Sequence, residues 1–285
     1  MHEISLAAER IFFLGSFPVT NALLLAVITL VFLSVIFLLL RRALAVLPSR
    51  AQSIAELVLD EALNLMDAVL GHREKSIKYA PLILAVFLFV MISNWLGLLP
   101  GVGSIVVKTP EGRAVIEETY GAAPVVERVP EVKNDETVHP GSKEPEESKA
   151  HESVVPLLRA PAADLNFTIA LAMISVLSVN MLGMIALGAR KFSKRYFTLS
   201  NPIYTFTGIL EFISEFVKII SFSFRLFGNV FAGEVLLMIV GFLVPFVLPL
   251  PFLFLEIFVG FIQAFIFSML TLVFVAMATS EEEAH

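Results

Sequence analysis

The 285-residue chain has no cysteine, a single tryptophan and few charged residues. The lack of cysteine excludes disulfide bonds, thiolate metal sites and cysteine nucleophiles. Charged residues make up 16% of the sequence and hydrophobic residues 57%, which is far from the balance of a soluble domain. This composition predicts a protein that crosses a membrane several times. The net charge of −6 and the lack of any run of five basic residues argue against a nucleic-acid-binding protein.

Long apolar runs predict five membrane-embedded blocks, each long enough to cross a hydrocarbon layer of about 30 Å as a helix. The blocks are 17–40, 80–99, 167–188, 202–240 and 252–277. The fourth would be about 57 Å long at 1.5 Å per residue, so it must tilt, bend or lie partly along the membrane. The predicted fold class is therefore an all-α polytopic membrane protein. Its last two helices are expected to form a long, tilted antiparallel hairpin.

Basic residues beside the blocks predict the orientation of the chain. Arg41 and Arg42 follow the first block, and Arg190 and Lys191 follow the third. The positive-inside rule places these flanks in the cytoplasm, with the N-terminus outside and the C-terminus inside. Between the first two blocks, segment 48–71 has polar residues at helical spacing. It predicts an amphipathic helix that lies on the membrane surface or packs against the protein's own spans.

Segment 104–158 interrupts the apolar pattern. It contains eleven acidic and six basic residues without a sustained apolar period, which predicts a largely irregular acidic loop outside the cytoplasm. His139 and His151 lie in this loop and are interpreted as solvated residues rather than metal ligands. The loop divides the chain into three regions. Residues 1–103 hold two spans and the amphipathic helix, and residues 159–285 hold the third span and the long hairpin.

Polar side chains inside the last two blocks are the strongest functional signal. Arg225 stands out because a guanidinium keeps its proton and a charge at the bilayer centre costs about 2.5–3.5 kcal/mol on insertion scales. Residues that carry such a cost usually line an ion or substrate path. The other polar residues of the two blocks include Glu211, Glu215, Lys218, Asn229, Glu234, Glu256 and Gln263.

Antiparallel packing predicts where these side chains meet. Residues at equal height have numbers with a constant sum, so Arg225 would lie level with Gln263, and Glu234 within a turn of Glu256. Asn229 is four residues after the arginine and shares its face. The spacing thus predicts one permanent cation between two sets of protonatable groups. The two outer carboxylates would share a proton, and a second polar group would lie toward the cytoplasm.

Structural pairing between helices is the other interpretation of these charges. It stays open for Glu215 and Lys218, which are near enough to the helix end to reach the interface. It is weak for Arg225, because a structural bridge needs one partner and this segment has carboxylates on both sides. Isolated polar residues such as Asn180 are interpreted as interhelical hydrogen-bonding groups.

Four motifs resemble subunit a of F-type ATP synthases. Residues 223–234 read Ser-Phe-Arg-Leu-Phe-Gly-Asn-Val-Phe-Ala-Gly-Glu, similar to the family signature, and 263–271 resemble its final helix. Segments 161–166 and 94–100 also match family patterns. The resemblance covers nearly all of the chain outside 104–158, and the arginine and glutamine motifs together are specific.

The resemblance implies a membrane stator subunit that faces a rotating ring of c subunits and joins the b-subunit peripheral stalk in a bacterial cytoplasmic membrane. Arg225 would face each ring carboxylate in turn and separate two half-channels. Glu234 would lie in the outer half-channel with Asp164 near its mouth, and Glu211 in the inner one. Glu256 departs from the histidine common in bacterial relatives. The residues implied for ion translocation are Arg225, Asn229, Glu234, Glu256, Gln263, Glu211 and Asp164.

Such a subunit would be no enzyme, because the ATP chemistry lies on other subunits, and it would hold no cofactor or metal. It would carry H⁺ or Na⁺, which the sequence does not distinguish. The alternative is a stand-alone secondary transporter or channel, but the internal repeats expected of a transporter are not found. A passive scaffold is disfavoured by the clustered charges, and a membrane enzyme by the lack of HExxH or serine-elbow motifs.

Overall fold

Helices dominate the described part of the chain. The computed structural model describes residues 8–14, 17–44, 49–103, 105–109, 153–196, 202–244 and 247–280. The helices are α1 (Asn21–Ala43), α2 (Arg50–Leu70), α3 (Arg73–Gly97), α4 (Leu165–Leu187), α5 (Ala189–Tyr196), α6 (Pro202–Leu243) and α7 (Pro249–Thr279), with a 3₁₀ turn at Pro161–Ala163. The short strands are β1 (Arg10–Leu14), β2 (Phe17–Thr20), β3 (Pro100–Gly103), β4 (Val106–Thr109) and β5 (Ser153–Pro156). Most of the acidic loop, with His139 and His151, and the acidic tail lie outside the described residues.

Five of the described helices are long and apolar enough to cross a membrane, which confirms the predicted all-α polytopic fold. They are α1, α3, α4, α6 and α7. Helix α6 has 42 residues, so it is about 63 Å long and exceeds a hydrocarbon layer of about 30 Å twofold. Helix α3 begins seven residues before the predicted block and runs through Pro81. The fold thus contains the long α6–α7 hairpin that the sequence predicts.

Helix ends are set by capping side chains and by glycine. Thr20 caps α1, because its hydroxyl accepts a hydrogen bond from the Leu23 amide at 3.2 Å. The amphipathic helix α2 begins after Ser49 and ends at Gly71, whose φ of 77° suits a residue without a Cβ. The sequence therefore predicts this helix to within two residues. Its apolar face packs on α3, α4 and α7 through Leu63, Met66 and Leu70.

Two buried clusters hold the membrane helices together. One joins α2, α3, α4 and α7 around Tyr79, Leu272 and Val275. The other joins α3, α4, α6 and α7, and in it the rings of Phe222 and Phe267 lie 4.7 Å apart. The end of the bundle with Arg41, Arg73 and Arg190 is called the basic end below. The opposite end, where residues 98–109 and 153–163 lie, is called the loop end.

Two antiparallel strand pairs lie at the loop end, β1 with β2 and β4 with β5. The two ends of segment 104–158, which the sequence predicts to be largely irregular, thus form strands, and its middle lies outside the described residues. Valines in β4 and β5 favour strand pairing, which closes the base of the loop. Buried Asn21 joins the two hairpins, because its Nδ2 donates to the Pro156 carbonyl at 3.2 Å and its Oδ1 accepts from the Glu9 amide.

Candidate functional site

Arg225 lies on an exposed face of α6, close to the middle of the helix. Its guanidinium donates a hydrogen bond to the Ser221 hydroxyl at 3.3 Å, one turn earlier. No ion pair to Arg225 forms within the described part of the chain. The turns of α6 before Arg225 also carry apolar side chains that are each more than half exposed. They are Phe216, Val217, Ile220 and Phe224.

Gln263 is buried on α7 and faces Asn229 rather than Arg225. The Asn229 Nδ2 atom lies 3.5 Å from the Gln263 Oε1 atom, at the limit of a hydrogen bond. The predicted level pairing of Gln263 with the arginine is therefore offset by one turn toward the loop end. The reason is the rotation of α6 about its axis. It directs Arg225 to the outside of the bundle, whereas Asn229 is half-buried against α7.

A cavity of about 410 Å³ opens at the loop end, between α3, α6 and α7. We call it the loop-end cavity. Its polar lining residues are Asn94, Asn229, Glu234 and Glu256, and residues 97–103 with Ala160 form its rim. At about 30 Å³ per water molecule it has room for on the order of ten waters. Both carboxylates that the sequence places on the outer side therefore line one cavity.

Glu256 packs directly over Gly233 of the facing helix. A methyl group added at Gly233 would overlap the Glu256 carboxyl, so the missing side chain provides the space that this carboxylate occupies. Small residues on α6 therefore have two uses. Gly228 borders open space on the exposed side, whereas Gly233 is buried and accommodates a functional side chain.

Glu234 has a cationic partner that the sequence analysis did not identify. The Nε atom of Arg159 lies 3.6 Å from Glu234 Oε2, which is an ion-pair rather than a hydrogen-bond distance. The Arg159 side chain is only 8% exposed. One of the two carboxylates of the cavity is thus balanced by a buried, permanent charge.

A second polar group lies on the basic-end side of Arg225. The Lys218 ammonium is 2.7 Å from Glu215 Oε1 and lies over the Phe274 ring, and the Asn180 amide donates to Glu215 Oε2 at 3.1 Å. We call Asn180, Glu215 and Lys218 the basic-end cluster. The cleft beside it has a volume of only about 10 Å³. Glu211 is half-buried one turn further along α6 and does not line this cleft.

Asp164, which the resemblance implies lies near the channel mouth, caps the helix that follows it, and its role in the channel stays a prediction. Its carboxylate accepts a hydrogen bond from the Asn166 amide at 3.1 Å and caps α4, and the residue is 5% exposed. It does not line the loop-end cavity. A helix-capping role therefore explains its burial.

Asn94 and Arg159 are the residues that sequence reasoning missed at this site. Asn94 is 5% exposed, lines the cavity, and has no hydrogen-bond partner for either side-chain polar atom among the described residues. One feature of the sequence could have drawn attention to Arg159. It is an arginine just before a membrane span, on the outer side, where the positive-inside rule predicts few basic residues. Its contact with Glu234 was not accessible from spacing, since the two lie on unconnected elements.

Comparison with known proteins places most of the chain in one family. The family model described as ATP synthase A chain matches residues 22–276. ATP synthase subunit a of Moorella thermoacetica is 25% identical over 267 residues, which cover 94% of each chain. ATP synthase subunit a of Campylobacter jejuni (strain 81116) is 28% identical over 86% of this chain and 83% of the relative. The Aliarcobacter butzleri protein of the same name is 38% identical over 133 residues, which cover 46% of this chain and 58% of the relative.

Proposed function

Since this chain belongs to the ATP synthase A chain family, we propose that it is the ion-translocating stator of a rotary ATP synthase. Its partners are a ring of c subunits and the b-subunit peripheral stalk, and it lies in a bacterial cytoplasmic membrane. The loop end faces outward and the basic end faces the cytoplasm, because basic flanks favour the inside. The chain carries no ATP chemistry of its own.

The observation that carries the proposal is the exposure of Arg225 on a helix of membrane length. A charged side chain that faces lipid costs several kcal/mol, so a protein surface with a compensating group must cover it. The apolar side chains beside it suit the same partner. A ring carboxylate that passes the guanidinium would provide the compensation.

Arg225 divides two polar compartments along α6. Glu234 lies nine residues toward the loop end and Glu215 ten residues toward the basic end, or about 13–15 Å on either side at 1.5 Å per residue. An ion enters the loop-end cavity, passes Glu256, Glu234 and Asn229, and binds a ring carboxylate. After the ring has turned, the ion leaves through the basic-end side. The arginine blocks a direct path, so ions cross the membrane only on the ring.

Electrostatics gives this exchange a direction. The guanidinium favours the ionised form of a ring carboxylate beside it and so promotes ion release. A carboxylate that turns into lipid must first be neutralised, because a bare charge in hydrocarbon is costly. Each elementary charge that crosses 100 mV supplies about 2.3 kcal/mol, which drives the rotation.

The test is ATP-driven ion pumping in inverted membrane vesicles that contain the assembled complex. Arg225→Ala is expected to abolish pumping while the amount of assembled complex stays unchanged. Arg42→Ala is the matched control, since it removes an exposed arginine at the basic end of α1. Wild-type pumping by Arg225→Ala would show that the charge is structural and would refute the proposal.

A further inference from the structure

Arg159 places a permanent positive charge directly behind the wall of the loop-end cavity. Glu234 lines the cavity, whereas Arg159 does not line it and contacts the Glu234 carboxylate. A guanidinium does not lose its proton in proteins, so the charge is present at every working pH. Arg159 is therefore a positioning residue that acts on transported ions through Glu234.

We infer that Arg159 makes the loop-end cavity a path for protons and excludes Na⁺, because it occupies the Glu234 carboxylate that a metal cation would need. The inference rests on the proposed function and identifies the transported ion. It concerns the entry compartment of this chain, separately from the ligands on the ring.

Without Arg159 the cavity would have the features of a cation site. Two carboxylates and two asparagine side chains, those of Asn94 and Asn229, line the same space. Clustered carboxylates attract cations, and oxygen ligands replace the hydration shell of an alkali ion. With Arg159 in place, the Glu234 carboxylate already has a cationic partner. A metal ion thus meets a single free carboxylate, that of Glu256.

A proton does not need such a ligand shell. It forms a covalent bond with one carboxylate oxygen and is then carried as a neutral acid group. The cavity has room for waters that would bring the proton to Glu256, and no second carboxylate is required. Pairing of Glu234 with Arg159 therefore penalises Na⁺ far more than H⁺.

Arg159 is held in place by its neighbours. The Gly103 amide donates to the Leu158 carbonyl at 3.0 Å, and the Leu157 amide donates to the Ile105 carbonyl at 2.7 Å. On the other side, Ala160 packs so closely on Gly97 that a methyl group added there would lie 2.7 Å from the Ala160 Cβ atom. The backbone at 157–160 is thus fixed on both sides, which sets the position of the guanidinium.

The experiment compares wild type, Arg159→Gln and Arg159→Lys in inverted vesicles of the assembled complex. ATP-driven acidification and uptake of radioactive Na⁺ are measured with NaCl or with choline chloride at equal ionic strength. Wild type is expected to acidify the vesicles equally in both salts and to accumulate no Na⁺. In Arg159→Gln the Glu234 carboxylate loses its charged partner and becomes available to Na⁺. Pumping by this variant is therefore expected to become at least about tenfold more sensitive to inhibition by Na⁺, because an interaction with a charged group contributes about 1.5–3 kcal/mol. Arg159→Lys keeps the charge and is expected to stay insensitive.

Arg10→Gln is the matched control, because Arg10 lies at the same end of the bundle in β1 and outside the cavity wall. A purely structural role of Arg159 would lower assembly or turnover without any Na⁺ sensitivity, and that result would overturn the inference. Na⁺ uptake by the wild type would also overturn it while the stator function stood, and this measurement needs no variant to fold. Vesicles that build up neither gradient would instead contradict the proposed function.

Discussion

The two polar compartments on either side of Arg225 are built from similar residues but differ in the volume that they enclose. The loop-end cavity encloses about 410 Å³ and exposes Glu256 and Glu234 to it. The basic-end cluster leaves about 10 Å³, near the lower limit for a single water. There Glu215 is neutralised by Lys218 at 2.7 Å and hydrogen-bonded by Asn180. Among the described residues, the larger of these two spaces therefore lies on the loop-end side of the arginine.

The difference indicates how one helix hairpin forms two polar compartments of unequal volume. Buried Gly233 creates room for Glu256 at the loop end, whereas the Phe274 ring covers the lysine at the other end. Under the proposed function, the loop-end compartment is preformed, and the basic-end path opens only when the Glu215–Lys218 pair separates or a partner subunit completes it. Variants that change one compartment at a time test this contrast.

Loss of a protonatable group in the preformed compartment should have the largest effect. Glu256→Gln keeps the shape of the side chain but cannot carry a proton, so ATP-driven pumping should fall by about a hundredfold, as for other positioned proton carriers. The rate at which inverted vesicles acidify measures this pumping. Glu61→Gln is the control, since Glu61 is exposed on α2 away from both compartments. Unchanged pumping in Glu256→Gln would remove this residue from the path.

Displacement of the same carboxylate should have a smaller effect than its removal. Gly233→Ala adds a methyl group where the Glu256 carboxyl lies, and the flexible side chain can move aside without disturbing α6. Pumping should fall by about tenfold, since misplacing a reacting group by 1 Å can cost up to a hundredfold. Adding Glu256→Asp, which has a shorter side chain, should restore part of the activity.

Gly241→Ala is the matched control for this variant, because its added methyl group would make only an ordinary contact with Pro249 at 3.9 Å. Equal pumping by the two alanine variants, measured in the same vesicles, would mean that the position of Glu256 is unimportant.

The basic-end cluster should respond more in stability than in transport. Lys218→Met removes the ammonium that contacts the largely buried Glu215 carboxylate. Loss of a partner to a charged group costs about 1–3 kcal/mol. The melting temperature in detergent should therefore fall, while pumping changes less than in Glu256→Gln. Lys75→Met, at an exposed lysine, provides the comparison. A collapse of pumping with unchanged stability would make Lys218 part of the path.

Helical periodicity explains what was predictable from the sequence. The five spans and α2 follow from apolar runs and amphipathic spacing, and the meeting of Glu234 and Glu256 follows from the antiparallel hairpin. Arg159 was not predictable, because its position depends on the pairing of β4 with β5 across a long insertion. The offset between Gln263 and Arg225 depends on how α6 is rotated, which spacing along one helix does not determine.

The smallest effect is expected at the basic end outside the spans, where Arg73 joins α3 to Asp60 and Asp67 of α2. Interactions with Ser76 and Arg73 lower the pKa of the Asp67 carboxyl. The contribution of Asp67 to stability is therefore complete above the pKa that its carboxyl has in the unfolded chain. This contribution is lost as the pH falls through the lower pKa that the carboxyl has in the folded protein. Asp67→Asn should melt slightly below wild type at neutral pH, and the difference should vanish in acid because both side chains are then uncharged. A difference that persists or grows in acid would show that the charge of Asp67 does not stabilise the contact between the two helices.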